Sequence, residues 1–110
     1  MLLNGKNAII TGAGRGIGRA IAEAFAEQGC NIAALARSQD EIDETIEIVR
    51  RHGREGVALV CDVAQADSVA EAVSVAEEQL GPTDILVNNA GKACFKPFMA
   101  LSLTDWEDTL

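Results

Sequence analysis

The sequence has 110 residues, which limits it to a single domain with a modest hydrophobic core. Hydrophobic residues make up 48% of the chain and charged residues 24%, a balance typical of globular proteins and not of disordered ones. The formal net charge of −8 disfavours binding to nucleic acid or to an anionic membrane surface. Because no long apolar run predicts a signal peptide or a membrane-spanning helix, we expect a cytoplasmic protein.

The three cysteines, Cys30, Cys61 and Cys94, lie far apart and form no Cys-x-x-Cys motif. The only histidine is His52, so the residues predict neither a metal site nor a disulfide. Cys30 and Cys61 adjoin predicted strands, and we expect both to be buried as small apolar side chains. Cys94 lies in a predicted loop, where a reactive thiol is the alternative interpretation.

Short apolar runs alternate with amphipathic ones along the chain, which is the pattern of βαβ units and a parallel sheet. The apolar runs lack polar alternation, as expected of strands that helices cover on both faces. We therefore predict an α/β fold with a Rossmann-type doubly wound parallel sheet of about four strands in the order 3-2-1-4, its fourth strand left as a hydrophobic edge. The predicted strands are Asn7–Thr11, Asn31–Ala36, Val57–Cys61 and Asp84–Asn88.

Three amphipathic segments between these strands predict helices. The first spans Ile17–Gln28 and ends at Gly29, the second opens with a capping box between Ser38 and Glu41, and the third follows Asp67. The expected buried faces are, in order, Ile17, Ile21, Ala24 and Phe25; Ile42, Ile46 and Val49; and Val69, Val73, Ala76 and Leu80.

Residues 11–18 read TGAGRGIG, with glycine at every second position where the first strand meets the first helix. Glycine lets backbone approach a ligand closely or adopt positive φ, and a helix N-terminus offers unpaired N–H groups to an anion. The turn therefore predicts a pyrophosphate site formed by Gly12, Gly14, Arg15, Gly16, Ile17 and Gly18. A merely tight turn needs only one or two glycines, and a Walker loop would need Lys and Ser or Thr after the last glycine.

The end of the second strand carries Arg37 and Ser38, at a place where dinucleotide folds that select NAD generally have an acidic residue. A guanidinium there would pair with a 2′-phosphate, and no carboxylate at this position repels it. Arg15 could approach the same phosphate from the glycine turn. The residues thus predict that NADP(H) is preferred over NAD(H), with a solvated surface charge as the alternative for each arginine.

Three motifs follow one another along the chain: Thr11-Gly12-xxx-Gly16-x-Gly18, Asp62-Val63 after the third predicted strand, and Asn88-Asn89-Ala90-Gly91 after the fourth. In this order and spacing they resemble the motifs of the classical short-chain dehydrogenase/reductases, and the resemblance covers essentially the whole chain. Within this family the sequence looks closest to the 3-oxoacyl-(acyl-carrier-protein) reductase-like members.

The resemblance implies that Asp62 hydrogen-bonds the adenine amino group and that Val63 contacts the ring. It also implies that Asn89–Gly91 passes beside the cofactor ribose, and that Asn88 and Asn89 help to fix the central strand. Read without the family, Asp62 would be a turn or cap residue and the asparagine motif a turn. Basic residues in the positions of the two arginines resemble those of NADP-preferring members.

In this family a tyrosine acts as general acid or base toward the carbonyl or alcohol, whereas this sequence contains no tyrosine. We therefore expect residues 1–110 to be the dinucleotide-binding N-terminal part of one domain, ending in a helix that opens near Thr104–Glu107. The resemblance implies a complete protein that reversibly reduces a small-molecule carbonyl and forms a homo-oligomer, a tetramer or dimer, with the helix near Trp106 at the interface. A non-catalytic dinucleotide-binding sensor or scaffold is the alternative.

Overall fold

The computed structural model describes residues 3–62, 64–89 and 100–101, and within them the chain forms five strands and three helices. The first seven elements follow one another as the apolar and amphipathic runs predict, with boundaries that agree to within two residues. In chain order they are β1 (Asn7–Thr11), α1 (Gly16–Glu27), β2 (Asn31–Ala36), α2 (Gln39–Arg51), β3 (Gly56–Val60), α3 (Ala66–Leu80), β4 (Ile85–Val87) and β5 (Ala100–Leu101).

The strands form one sheet in the order β3-β2-β1-β4-β5, and its first four members run parallel. The predicted Rossmann-type order 3-2-1-4 is therefore confirmed. The prediction that β4 is an open edge is wrong, because β5 pairs with it antiparallel and places Ala100 beside Val87. This pairing satisfies backbone groups that an apolar edge strand would otherwise leave exposed.

Two apolar cores lie on opposite faces of the sheet. One core joins α1 and α2 to strand residues that include Ile10 and Ile32, and the other joins α3 to strand residues that include Ile9 and Leu35. Neighbouring residues of a strand point to opposite faces, so a strand covered on both sides needs apolar residues throughout. This explains why the strand segments read as unbroken apolar runs.

The buried face of α2 is the predicted one, but the buried face of α1 differs from the prediction. In α2, the predicted apolar stripe is fully buried and Ser38 caps the helix by accepting a hydrogen bond from the Glu41 amide at 3.4 Å. In α1, Ile17 is 68% exposed and Ala24 is also exposed. Small residues on the adjacent stripe are buried instead, because α1 lies close against the turn that precedes it. The buried residues of α1 are Gly18, Ile21, Ala22 and Ala26.

The third helix buries Val69 and Ala76 as predicted, while Val73 and Leu80 pack at the edge of the same core. Ala72 is buried as well. None of the helices in the described ranges has both the length and the apolar character needed to cross a bilayer.

Cys30 and Cys61 are buried free thiols, as predicted, and Cys94 lies outside the described residues. Burial raises the pKa of the Cys30 thiol to about 12, and the negative charge of Asp84 adds to this effect. A thiol that remains protonated at physiological pH is a poor nucleophile. Cys30 therefore contributes to packing and not to chemistry.

The side chain of Asn7, at the amino end of β1, bonds the amino end of β2 and the connection between α3 and β4. Its amide nitrogen donates to the carbonyls of Leu80 at 2.9 Å and Pro82 at 3.0 Å, and its side-chain oxygen accepts from Asn31 at 3.0 Å. Because the strands are parallel and in register, fixing this end also aligns their carboxyl ends at the opposite edge.

Candidate functional site

The glycine turn, residues 12–18, requires glycine at specific positions. Gly12 and Gly16 have φ of 64° and 59°, a region that residues with a side chain rarely adopt. A Cβ on Gly18 would overlap the Gly12 carbonyl oxygen and would lie 2.7 Å from the carbonyl carbon. A Cβ on Gly14 would lie 3.0 Å from the Cβ of Glu41. The first turn of α1 therefore lies directly against the backbone of the strand-to-helix connection.

The carbonyl groups of this turn are held by side chains of α1 and α2. Thr45 donates from its hydroxyl to the Ala13 carbonyl at 2.7 Å, and Arg19 donates from Nη2 to the Gly14 carbonyl. Arg19 also donates from Nε to the Thr45 hydroxyl at 3.0 Å and from Nη2 to the Glu41 carbonyl at 2.9 Å. We call Arg19 and Thr45 the carbonyl clamp, because together they hold two successive carbonyls of the glycine turn.

Among the described residues, none places a negative charge in the first turn of α1. Arg15 is its N-cap residue in an extended conformation, no side chain in the described part of the chain caps it, and its first turn has no acidic residue. The first turn of α2, in contrast, has a serine cap and two carboxylates, Asp40 and Glu41. Unpaired N–H groups and the positive end of the helix dipole favour an anion at such a terminus. The α1 terminus is therefore suited to a phosphate group.

The carboxyl end of β1 is bonded to the carboxyl end of β4. The hydroxyl of Thr11 is buried, accepts from the Asn89 amide at 2.9 Å and lies 3.1 Å from Oδ1 of Asn88. These contacts fix both asparagines against the central strand, in agreement with what the resemblance implied. Gly18 also lies next to Asn89, because a Cβ on Gly18 would stand 2.9 Å from the side-chain nitrogen Nδ2 of Asn89.

The two predicted phosphate-binding arginines differ in their surroundings. Arg37 follows β2 directly, is exposed, and has no ion-pair or hydrogen-bond partner among the described side chains. Arg15 is 83% exposed, and its Nη1 lies 3.9 Å from Oε2 of Glu41. The end of β2 at Arg37 is free of acidic side chains, as the sequence indicated. At the adjoining glycine turn, however, α2 places the Glu41 carboxylate beside Arg15.

Asp62 has the structure of a turn residue. Its Oδ1 accepts from the Ala64 amide at 3.0 Å, and its own amide donates to the Ser68 hydroxyl at 3.2 Å. The residue follows β3 at the same edge of the sheet as Arg37 and the glycine turn. Its half-buried carboxylate keeps Oδ2 without a partner in the described ranges.

The structure brings most of the predicted site residues to one edge of the sheet, beyond the carboxyl ends of β1 to β4. Ligands of open α/β sheets bind at this edge. Three predicted residues, Val63, Ala90 and Gly91, lie outside the described residues. The predicted residues that lie within the described ranges are Gly12, Gly14, Arg15, Gly16, Ile17, Gly18, Arg37, Ser38, Asp62 and Asn89.

A second group of polar side chains joins α1 to the C-terminal end of α2. Glu23, Glu27 and His52 place one possible ligand atom each within 4.8 Å of the others, and His52 Nε2 lies 3.1 Å from Oε2 of Glu23. No local pattern in the sequence predicts this group, because His52 lies 29 positions from Glu23. In the structure the hydrogen bond between His52 and Glu23 links the two helices.

Residues 6–110 match the family described as short chain dehydrogenase. The 3-oxoacyl-(acyl-carrier-protein) reductase FabG of Staphylococcus epidermidis is 39% identical over 106 residues, which cover 96% of this chain and 43% of that protein. The chain thus spans less than half the length of this curated relative.

Several similar solved structures carry a bound dinucleotide. The crystal structure of NAD⁺-bound xylitol dehydrogenase superposes with a TM-score of 0.80 at 37% identity, covering 83% of this chain and 35% of that one. The actinorhodin polyketide ketoreductase structure with NADPH gives a TM-score of 0.74 at 34% identity, covering 79% and 33%. Together with the sheet order and the glycine turn, these similarities show that the chain belongs to the classical short-chain dehydrogenase/reductase family.

Proposed function

We propose that the glycine turn binds the pyrophosphate of a nicotinamide dinucleotide, and that the complete protein uses NADP(H) to reduce a small-molecule carbonyl reversibly. The observation that carries this proposal is the α1 N-terminus, which has neither a side-chain cap nor an acidic first-turn residue in the described part of the chain. A pyrophosphate supplies the negative charge that this terminus lacks.

The shape of the turn also fits this group. Apart from the chain neighbours of Gly16 and the backbone of its own helix, no described atom lies within 4 Å of the position that a Cβ on Gly16 would take, so the outer side of the turn is open to a ligand. The carbonyl clamp draws the Ala13 and Gly14 carbonyl oxygens toward α2. This arrangement keeps carbonyl oxygens, which repel phosphate, away from the open side.

The preference for NADP(H) rests on Arg37. An unpaired guanidinium loses no existing ion pair when it binds a 2′-phosphate, and it can do so with two parallel hydrogen bonds. Arg15 adds a second positive charge from the turn. The similar structures do not decide between the cofactors, since one contains NAD⁺ and another NADPH.

The remaining predicted residues would contact the rest of the dinucleotide. Ser38 adjoins Arg37 at the 2′-phosphate, and Ile17 offers an exposed apolar side chain beside the pyrophosphate. Asp62 would accept a hydrogen bond from the adenine amino group through its free Oδ2, with Val63 against the ring. Asn89, Ala90 and Gly91 would line the ribose.

When bound, the dinucleotide supplies the hydride that carbonyl reduction requires. The residues of this chain bind and orient it, and we propose that residues 1–110 are the dinucleotide-binding N-terminal part of one domain. The group that donates a proton to the carbonyl would then come from elsewhere in the complete protein, because this sequence contains no tyrosine. The proposal includes a homo-oligomeric protein that acts in the cytoplasm.

The test is to titrate the intact protein with NADPH and with NADH, following nucleotide fluorescence. We expect tighter binding of NADPH, and Arg37→Ala should weaken NADPH binding about tenfold while changing NADH binding less than about twofold. Arg51→Ala is the matched control, since it removes an exposed arginine from the far end of α2. Comparable affinities for the two nucleotides, or an unchanged NADPH affinity in Arg37→Ala, would reject the assignment. NADPH oxidation that depends on an added carbonyl compound distinguishes an enzyme from a sensor.

A further inference from the structure

We propose that Glu41 lowers the selectivity of the site for NADP(H). Its carboxylate pairs with Arg15 beside the glycine turn and thereby weakens the selection of a 2′-phosphate. This inference rests on the proposed function, because it concerns the same dinucleotide site. Helix α2 would then carry an acidic residue whose effect on cofactor selection opposes that of the two arginines.

Hydrogen bonds hold the backbone of Glu41 in place. The amide of Glu41 donates to the Ser38 hydroxyl at 3.4 Å, and its carbonyl accepts from Arg19 at 2.9 Å. Both contacts tie the residue to the end of β2 and to α1. The side chain therefore starts from a point that cannot move far when a ligand binds.

The carboxylate is directed toward the glycine turn. A Cβ on Gly14 would lie 3.2 Å from Oε1 of Glu41, and Oε2 lies 3.9 Å from Nη1 of Arg15. The Glu41 side chain is 39% exposed, compared with 67% for Glu44 one turn later on the same helix. Gly14 therefore leaves room for a carboxylate at the place where the turn meets α2.

This placement makes the two arginines unequal. Arg37 has no partner among the described side chains, so its charge is fully available to a phosphate. To bind the phosphate, Arg15 must either give up its ion pair with Glu41 or interact with both anions. A 2′-phosphate carries between one and two negative charges near neutral pH, so this competition weakens the binding of NADPH. NADH has an uncharged ribose hydroxyl at this point, so its binding is not affected.

Glu41→Gln tests the inference, because glutamine keeps the shape and the helix-opening character of the residue and removes only the charge. Dissociation constants for NADPH and NADH are measured by fluorescence at low ionic strength, where exposed charges act most strongly. We expect the ratio of the NADH constant to the NADPH constant to rise about two- to fivefold. Glu47→Gln is the control, since it removes an equal charge from α2 that is paired with Arg51. It should leave the ratio unchanged.

A double-mutant cycle tests the route through Arg15. In the Arg15→Met background, Glu41→Gln should raise the ratio less than about 1.5-fold, because Glu41 no longer has an arginine to pair with. An undiminished rise in that background, or an unchanged ratio in Glu41→Gln alone, would overturn the inference. These outcomes differ from failure of the proposed function, which appears as equal binding of the two nucleotides by the unaltered protein. The ratio can still shift in Glu41→Gln if that preference is absent.

Discussion

Replacing Gly18 by alanine sets two physical effects against each other. Gly18 is the third residue of α1, and helix propensity alone predicts that alanine stabilises this position by about 1 kcal/mol. The structure predicts the opposite, because the new Cβ would overlap the Gly12 carbonyl oxygen and stand 2.7 Å from its carbon. Since carbon atoms in contact prefer separations of about 3.5–4.0 Å, α1 or the turn would have to move by roughly 1 Å.

Overpacking of this kind costs about 1–3 kcal/mol, which exceeds the gain in propensity at most sites. We therefore expect Gly18→Ala to lower the melting temperature of the intact protein by a few degrees, at about 2–8 °C for each kcal/mol depending on domain size. A total stability of about 5–15 kcal/mol leaves the variant folded. A displacement of about 1 Å in the turn should weaken NADPH binding at least about tenfold.

The assay is thermal unfolding followed by circular dichroism, combined with nucleotide titration of the same samples. Gly53→Ala is the control, because Gly53 has φ of 78° and no described atom lies within 4 Å of its missing Cβ. It should cost about 1 kcal/mol in stability and leave nucleotide binding unchanged. If Gly18→Ala instead raises the melting temperature, the close contact between α1 and the Gly12 carbonyl is refuted.

Substitutions at two further positions, Thr11 and Cys30, test a hydrogen bond and a buried thiol. Thr11→Val should destabilise the protein by about 1–3 kcal/mol, measured as the urea midpoint, because it leaves the Asn89 amide without its acceptor; Thr11→Ser should restore most of the loss, and equal midpoints for the valine and serine variants would contradict this. The raised pKa of Cys30, about 12 against 9.0 for a free thiol, means that only the unfolded state loses this proton between those values, so stability should fall as pH rises through that window. Cys30→Ala should have a shallower pH dependence in the same unfolding series, and parallel curves for the two proteins would contradict the assignment.

Local sequence signals were sufficient for the framework of the fold. The apolar runs predict β1 and β2 to the residue, and the capping box at Ser38 predicts the start of α2, because both signals act between neighbours in the chain. The strand order follows from the rule that parallel crossovers are right-handed. The glycine spacing indicates the position of the candidate site, although its ligand remains a prediction.

The contacts that shape the site could not be predicted in the same way. Thr11 meets the β4 end across 78 positions, and Thr45 meets the Ala13 carbonyl across 32. A threonine in either segment has no local pattern that indicates such a bond. Helical periodicity predicts that Ile17 is buried, but its side chain is exposed in the structure. The smaller residues of α1 face the core instead, because Gly18 packs against the turn.

The carbonyl clamp has a consequence for redesigning cofactor choice. Arg19 belongs to α1 and Thr45 to α2, and both donate hydrogen bonds to the glycine turn, so hydrogen bonds connect all three segments. Exchanging only the strand end around Arg37 for that of another protein would keep these hydrogen bonds intact. Exchanging α2 as well would release the Ala13 carbonyl unless the donor helix also carries a hydroxyl in the position of Thr45. A graft should therefore end before Thr45, or the donor helix should supply a hydroxyl side chain at that position.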